Sequence, residues 1–196
     1  MSADTEADVK TGTNTDAQPK PLPPVGGVLI TVAALLQTAL AGFGGAPLAA
    51  ILSGLLVVLV LAVTASWVAA GSVERFRGPG AILILCSLAC VLVISALLVA
   101  YPFGALVVAL MPPVLMTVAT KRPWADLGRI WGRAPWRAFG WLVLSLLMCT
   151  GVWVLGTALG LVGAGVIGAF AWWVVFGIVQ FRVLKGWDAI LSRAFR

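Results

Sequence analysis

A chain of 196 residues that is 61% hydrophobic and only 10% charged cannot cover a folded surface with polar groups, which excludes a water-soluble domain. Its net charge of +6 and its three cysteines at Cys86, Cys90 and Cys149 fit neither a disulfide framework nor a zinc-binding spacing. The complete lack of histidine removes the commonest catalytic base and the commonest metal ligand.

Met1 to Pro24 is polar, with Asp4, Glu6, Asp8 and Asp16 against Lys10 and Lys20. It has no apolar face, so a disordered cytoplasmic tail is expected over 1–24. The acidic start does not read as a signal peptide, whose first residues are basic. From residue 25 the chain becomes a transmembrane domain, expected to cover 25–196. Three uncharged runs, Leu22 to Val73, Gly78 to Thr120 and Ala138 to Phe181, each have room for two membrane spans. A span needs about 20 apolar residues, because helices rise about 1.5 Å per residue through a core of about 30 Å.

The punctuation places six spans. The first covers about 25–43 and ends at Gly42, Gly44 and Gly45. The second covers about 47–70, with Pro47 suited to its first turn. Gly71 to Gly80 is a short polar loop holding Glu74, Arg75 and Arg77. The third and fourth, about 81–100 and 103–120, flank the turn Tyr101-Pro102-Phe103-Gly104, and the fourth contains Pro112 and Pro113. The fifth and sixth, about 139–159 and 163–184, are joined by the turn Gly160 to Gly163. Span six is expected to end near Leu184, and the tail from Lys185 to Arg196 to form a short amphipathic helix, with Trp187, Ile190, Leu191 and Ala194 on one side. The fold class is therefore all-α: a polytopic transmembrane helical bundle of six spans in three hairpins.

Between spans four and five lies the most polar stretch of this domain, Lys121 to Gly140. It carries Lys121, Arg122, Arg129, Arg133 and Arg137 against a single acid, Asp126. Arg122, Asp126, Arg129 and Arg133 recur at helical spacing on one face, and Trp124, Leu127, Trp131 and Ala134 on another. This spacing predicts a short interfacial amphipathic helix before span five, its Trp edge in lipid and its Arg edge in water. Pro123 suits its start, and Pro135 ends or kinks it. The surface of Arg122, Trp124, Arg129, Trp131, Arg133 and Arg137 is a candidate contact for anionic lipid at the cytoplasmic face or for an acidic partner; the alternative is that these charges only set topology.

If the spans alternate, every charged residue falls on one side of the membrane and the three turns opposite carry none. Basic loops stay in the cytoplasm, so both termini are expected inside and the protein in the cell inner membrane. Trp67, Trp124, Trp131, Trp136, Trp141 and Trp187 fall near the same inner interface, where indole rings favour the headgroup level.

Apart from Arg182 near the end of the sixth, the spans contain no ionisable side chain other than cysteine, whereas proton relays and ion paths carry such groups within the bilayer. Glu74 and Asp126 are read as local ion pairs, with Arg77 and Arg122, against the alternative of interfacial catalysis. Ser53, Ser66, Ser87, Ser95 and Ser145 have no histidine base, so they are read as helix–helix hydrogen-bonding groups. Cys86 and Cys90, one turn apart, are read as packing residues rather than a soft-metal pair. Pro112 and Pro113 free two backbone carbonyls in mid-span, and with Gln37 and Gln180 they form the candidate substrate or packing site. Gly160, Ala164 and Gly168 make a small-residue ladder suited to close helix approach. No phosphate-binding loop is present. No catalytic residue, cofactor or metal is expected, and the one-sided basic excess is read as orientation rather than nucleic-acid binding.

Three hydrophobic hairpins with an Arg- and Trp-rich elbow before span five resemble the layout of uncharacterised bacterial multi-pass membrane families. In size and span number the chain is also similar to the substrate-binding membrane subunits of vitamin importers, although it offers few of the polar contacts those subunits present. The expectation is a non-enzymatic scaffold or accessory subunit of a membrane complex, in contact with the lipid bilayer and with another membrane protein. The alternative is a small-molecule carrier or the substrate-binding subunit of a transporter.

Overall fold

In a bilayer the backbone finds no water to bond, so apolar runs of this length settle as helices. The computed structural model of the chain describes residues 25–43, 46–72, 75–97 and 103–195. Among these residues it forms seven helices: α1 (Val25–Gly42), α2 (Pro47–Ala70), α3 (Ala81–Leu97), α4 (Phe103–Ala119), α5 (Trp124–Arg133), α6 (Pro135–Leu161) and α7 (Gly165–Ala194). The expected tail over 1–24, the turn at Gly44 and Gly45, Glu74, and residues 98–102 lie outside the described residues, as does the side chain of Ser95.

Three helices, α2, α6 and α7, are long and apolar enough to cross a membrane. The apolar α1, α3 and α4 are shorter, at 18, 17 and 17 residues. At about 1.5 Å per residue these reach roughly 26 Å. The outward faces of the bundle are apolar: Val28, Leu48, Ile51, Ile82, Leu85, Leu147 and Ile167 are all exposed. Such a surface suits lipid and would aggregate in water.

Local chemistry explains most of the boundaries. Pro47 opens α2, and Gly71, in the left-handed region at φ 67°, closes it with its N–H bonded to the Trp67 carbonyl. At the end of α4 the Arg122 N–H reaches back to Thr117 O at 3.0 Å. This is the six-to-one bond of a Schellman ending, and it puts Lys121 at φ 54°, the place a glycine usually takes. Pro123 then precedes α5, and Ala134, whose backbone leaves the helical region, with Pro135 at the first position of α6 separates α5 from α6. Pro112 and Pro113 are buried within α4, which continues as one helix through both.

Two expectations require correction. The sixth span and the tail helix are one continuous helix of 30 residues. Arg182, Lys185 and Asp188 mark where a bilayer would end, but charged residues are good helix formers and do not interrupt the backbone. The spacing Gly160, Ala164, Gly168 is not a ladder on one helix either. Gly160 closes α6, Ala164 caps α7, and Gly163 between them turns the chain at φ 66°. Close approach occurs at Gly168, where a side chain would meet Ala164 and, on α6, Leu159, and also at Gly177 against Ile30 of α1 and at Gly156 against the Trp172 indole.

The central element is α7, which packs on α1, α2, α4, α5 and α6. The buried core lies toward the end of the bundle that carries the polar loops. It joins Ala62, Ala65 and Val68 of α2, Leu83 and Cys90 of α3, Met111, Leu115 and Met116 of α4, Ile130 of α5, Ala138 of α6, and Val183, Leu184, Trp187 and Leu191 of α7.

Candidate functional site

A ten-residue helix is marginal alone, so α5 depends on what it packs against. It buries Asp126 and Ile130, and it touches α4, α6 and α7. Asp126 stands in its first turn and Arg133 in its last, each at the end of the helix dipole that favours its charge. Trp124, Trp131 and, just beyond α5, Trp136 are exposed. The amphipathic division expected from spacing is present, with a difference in what the Arg edge does.

Arg133 Nη1 donates to the Ala194 carbonyl at 2.9 Å, so it caps the C-terminal end of α7. Its guanidinium carbon lies 5.2 Å from the centre of the Phe195 ring, and that of Arg122 lies 5.4 Å from the same ring. Two cations thus face one aromatic ring, each within cation–π range. Arg122 also exerts its positive charge on Asp188, half-buried on α7. The Arg edge was expected to face water. Two of its members are engaged instead, because α7 runs ten residues past the predicted end of span six and brings its carbonyl end under α5.

The partner expected for Asp126 is also corrected. Its carboxylate meets Arg129 at 3.3 Å, not Arg122. Arg122 precedes Pro123 and lies outside α5, so the helical spacing of four does not apply to it. With Arg129 mostly exposed, the pair contributes no more than about 1 kcal/mol. Among the described residues neither Lys121 nor Arg137 meets an acceptor, and both are exposed. The expected Trp girdle is divided too. Trp67 and Trp187 are buried and Trp141 half-buried, so these three pack inside the protein.

The four residues of the candidate substrate or packing site are not gathered in one place. Gln37 is buried on α1 and makes a reciprocal pair with α2: its Nε2 donates to Ser53 O at 2.9 Å, and Ser53 Oγ donates to its Oε1 at 2.6 Å. Each polar group thereby finds a partner away from lipid. Beside it lies a cavity of about 20 Å³ between α1, α2 and α7. Pro112 and Pro113 are in α4, which does not touch α1 among the described residues, and Gln180 is half-buried on α7. Of the remaining buried hydroxyls, Thr38, Thr64, Thr117 and Ser145 bond carbonyls of their own helices rather than neighbours, and Ser87 Oγ meets no partner among the described residues.

One feature was not read from the sequence. At the far end of the hairpin of α6 and α7 an open groove of about 740 Å³ runs between Trp153, Gly156, Gly160, Gly168, Trp172 and Trp173. Trp172 is pinned by its Nε1 to Val152 O at 2.8 Å and stacks on Phe176. The signal was there in Gly156 and Gly160 opposite Trp172 and Trp173, but it requires knowing how the two helices pair. The groove's walls are mostly apolar, and it is open rather than enclosed.

No protein-family model, curated protein or solved structure matches the chain.

Proposed function

We propose that the chain is a six-span inner-membrane protein with both termini in the cytoplasm, acting as a non-enzymatic scaffold or accessory subunit of a membrane complex. Six spans are supported by how the helices share one bundle. The shorter α1, α3 and α4 pack directly on the long α2, α6 and α7, so a bilayer that holds the second set also holds the first. The orientation is supported by charge: the polar loop after α2, the segment around α5 and the end of α7 carry the basic residues, and basic loops stay inside.

The observation that carries the scaffold reading is where the polar groups of the spans point. Gln37 and Ser53 satisfy each other, the buried threonines back-bond their own helices, and the outer faces present Leu, Ile and Val. A bundle built this way offers its neighbours shape and apolar area rather than a polar path. The competing carrier reading relies on Gln37, Gln180 and the prolines converging, whereas α1 with Gln37 and α4 with the prolines do not touch among the described residues. The reading is tested by isolating the full-length chain from its native membranes in a mild detergent. A membrane protein recovered with it in fixed proportion is the expected result; recovery of the chain alone, while other complexes from the same membranes survive, contradicts it.

A further inference from the structure

The basic residues around α5 divide into two groups. Arg122 and Arg133 face the end of α7, whereas Lys121 and Arg137 meet no acceptor among the described residues and Arg129 gives only one of its nitrogens to Asp126. The same segment carries three exposed indoles on the neighbouring face, with Trp124 at 60%, Trp131 at 41% and Trp136 at 85% of full exposure. Gly128 and Gly132 are exposed between the Trp edge and Arg129, with nothing near their backbone. Trp rings settle at the boundary of headgroups and hydrocarbon, and guanidinium and ammonium groups bind phosphate.

We propose that Lys121, Arg129 and Arg137, with Trp124, Trp131 and Trp136, form a binding surface for anionic phospholipid headgroups of the leaflet in which this end of the bundle sits. Charge complementarity selects this occupant, since Asp126, the lone acid of the segment, is buried and already paired. The surface rests on the membrane reading above, because only an inserted bundle holds the indoles at headgroup depth. Arg122 and Arg133 belong to the hold on α7 and are not part of it.

The test reconstitutes the full chain in nanodiscs of phosphatidylcholine with about one fifth phosphatidylglycerol, and reads the lipids retained on the protein by native mass spectrometry. The variant is K121N/R137Q. Asparagine tolerates the positive φ of Lys121, and Arg129 is kept because it holds Asp126. The wild type is expected to enrich phosphatidylglycerol, and the variant to lose about tenfold of that enrichment, given the typical strength of each basic residue near an anionic surface. R122Q/R133Q is expected to lower the thermal midpoint and leave enrichment intact in the folded fraction. The enrichment of the wild type should also fall as salt rises, independently of any variant. Unchanged enrichment in K121N/R137Q, equal loss in R122Q/R133Q, or insensitivity to salt overturns the surface. Loss of an acidic co-purifying protein from K121N/R137Q with lipid enrichment unchanged overturns it in favour of a protein partner. Insertion is scored separately: a chain extracted from membranes by alkaline carbonate refutes the membrane reading, whereas an inserted chain without headgroup preference refutes only the surface.

Discussion

Gly186→Ala is expected to destabilise the bundle by about 1–3 kcal/mol, the usual range for overfilling a packed site. Gly186 lies on α7 directly under the indole of Trp141 on α6, and a methyl group there would overlap the ring. The ring cannot simply swing away. Its Nε1 donates to Val183 O at 3.3 Å, and Trp141 packs against the buried core. The overlap is therefore relieved only by breaking that bond and parting α6 from α7. Denaturation in mixed micelles measures the loss. Trp141→Leu removes the colliding ring and carries its own penalty, so the double variant G186A/W141L should be less destabilised than the sum of the two singles by at least about 1 kcal/mol. A neutral G186A, or strict additivity, would mean that the two helices are not in this contact.

The second large effect is at Trp187, which is buried to 1% of its full exposure. Trp187→Ala is expected to lose about 3–5 kcal/mol, the range for emptying a site of this size. Trp187 has a second peculiarity: its Nε1 is buried and meets no acceptor among the described residues. Trp187→Phe removes that unpaired donor, which relieves about 1–3 kcal/mol, and opens a small cavity on the order of 1 kcal/mol. The cavity offsets part of the relief, so W187F is expected between the wild-type stability and about 2 kcal/mol above it. Equal damage from W187F and W187A in the same denaturation assay would show that the indole N–H has a partner and that the argument from an unpaired donor is wrong.

Where the chain breaks into helices was legible where proline or glycine acts on the backbone directly. Pro47, Pro123 and Pro135 begin or precede helices, and Gly71 ends one. Charge was a poor guide to helix ends. Arg182 and Lys185 end the uncharged run, yet α7 passes through them, and the whole arrangement at Ala194 and Phe195 follows from that continuity. Lone tryptophans were ambiguous for a related reason. Trp124 and Trp187 look alike in the sequence, but Trp187 shares a face with Val183, Leu184 and Leu191 and is driven into the core by them. Glycine spacing misled as well. The four-residue pattern finds small residues facing small residues, whereas here Gly156, Gly177 and Gly186 each sit opposite a bulky Trp172, Ile30 or Trp141. The Gln37–Ser53 pair was half-legible: a buried amide in a span demands a partner, but which hydroxyl supplies it depends on the register of α1 against α2.

The central claim is the six-span topology with every charged loop on the cytoplasmic side. Fusions of the chain to a reporter enzyme that is active only outside the inner membrane test it directly, joined in turn at Gly44, Phe103, Leu161, Gly78 and Ala134. The account predicts activity at Gly44, Phe103 and Leu161 and none at Gly78 or Ala134. Activity at Ala134, beside α5, would put the basic segment outside and contradict the topology.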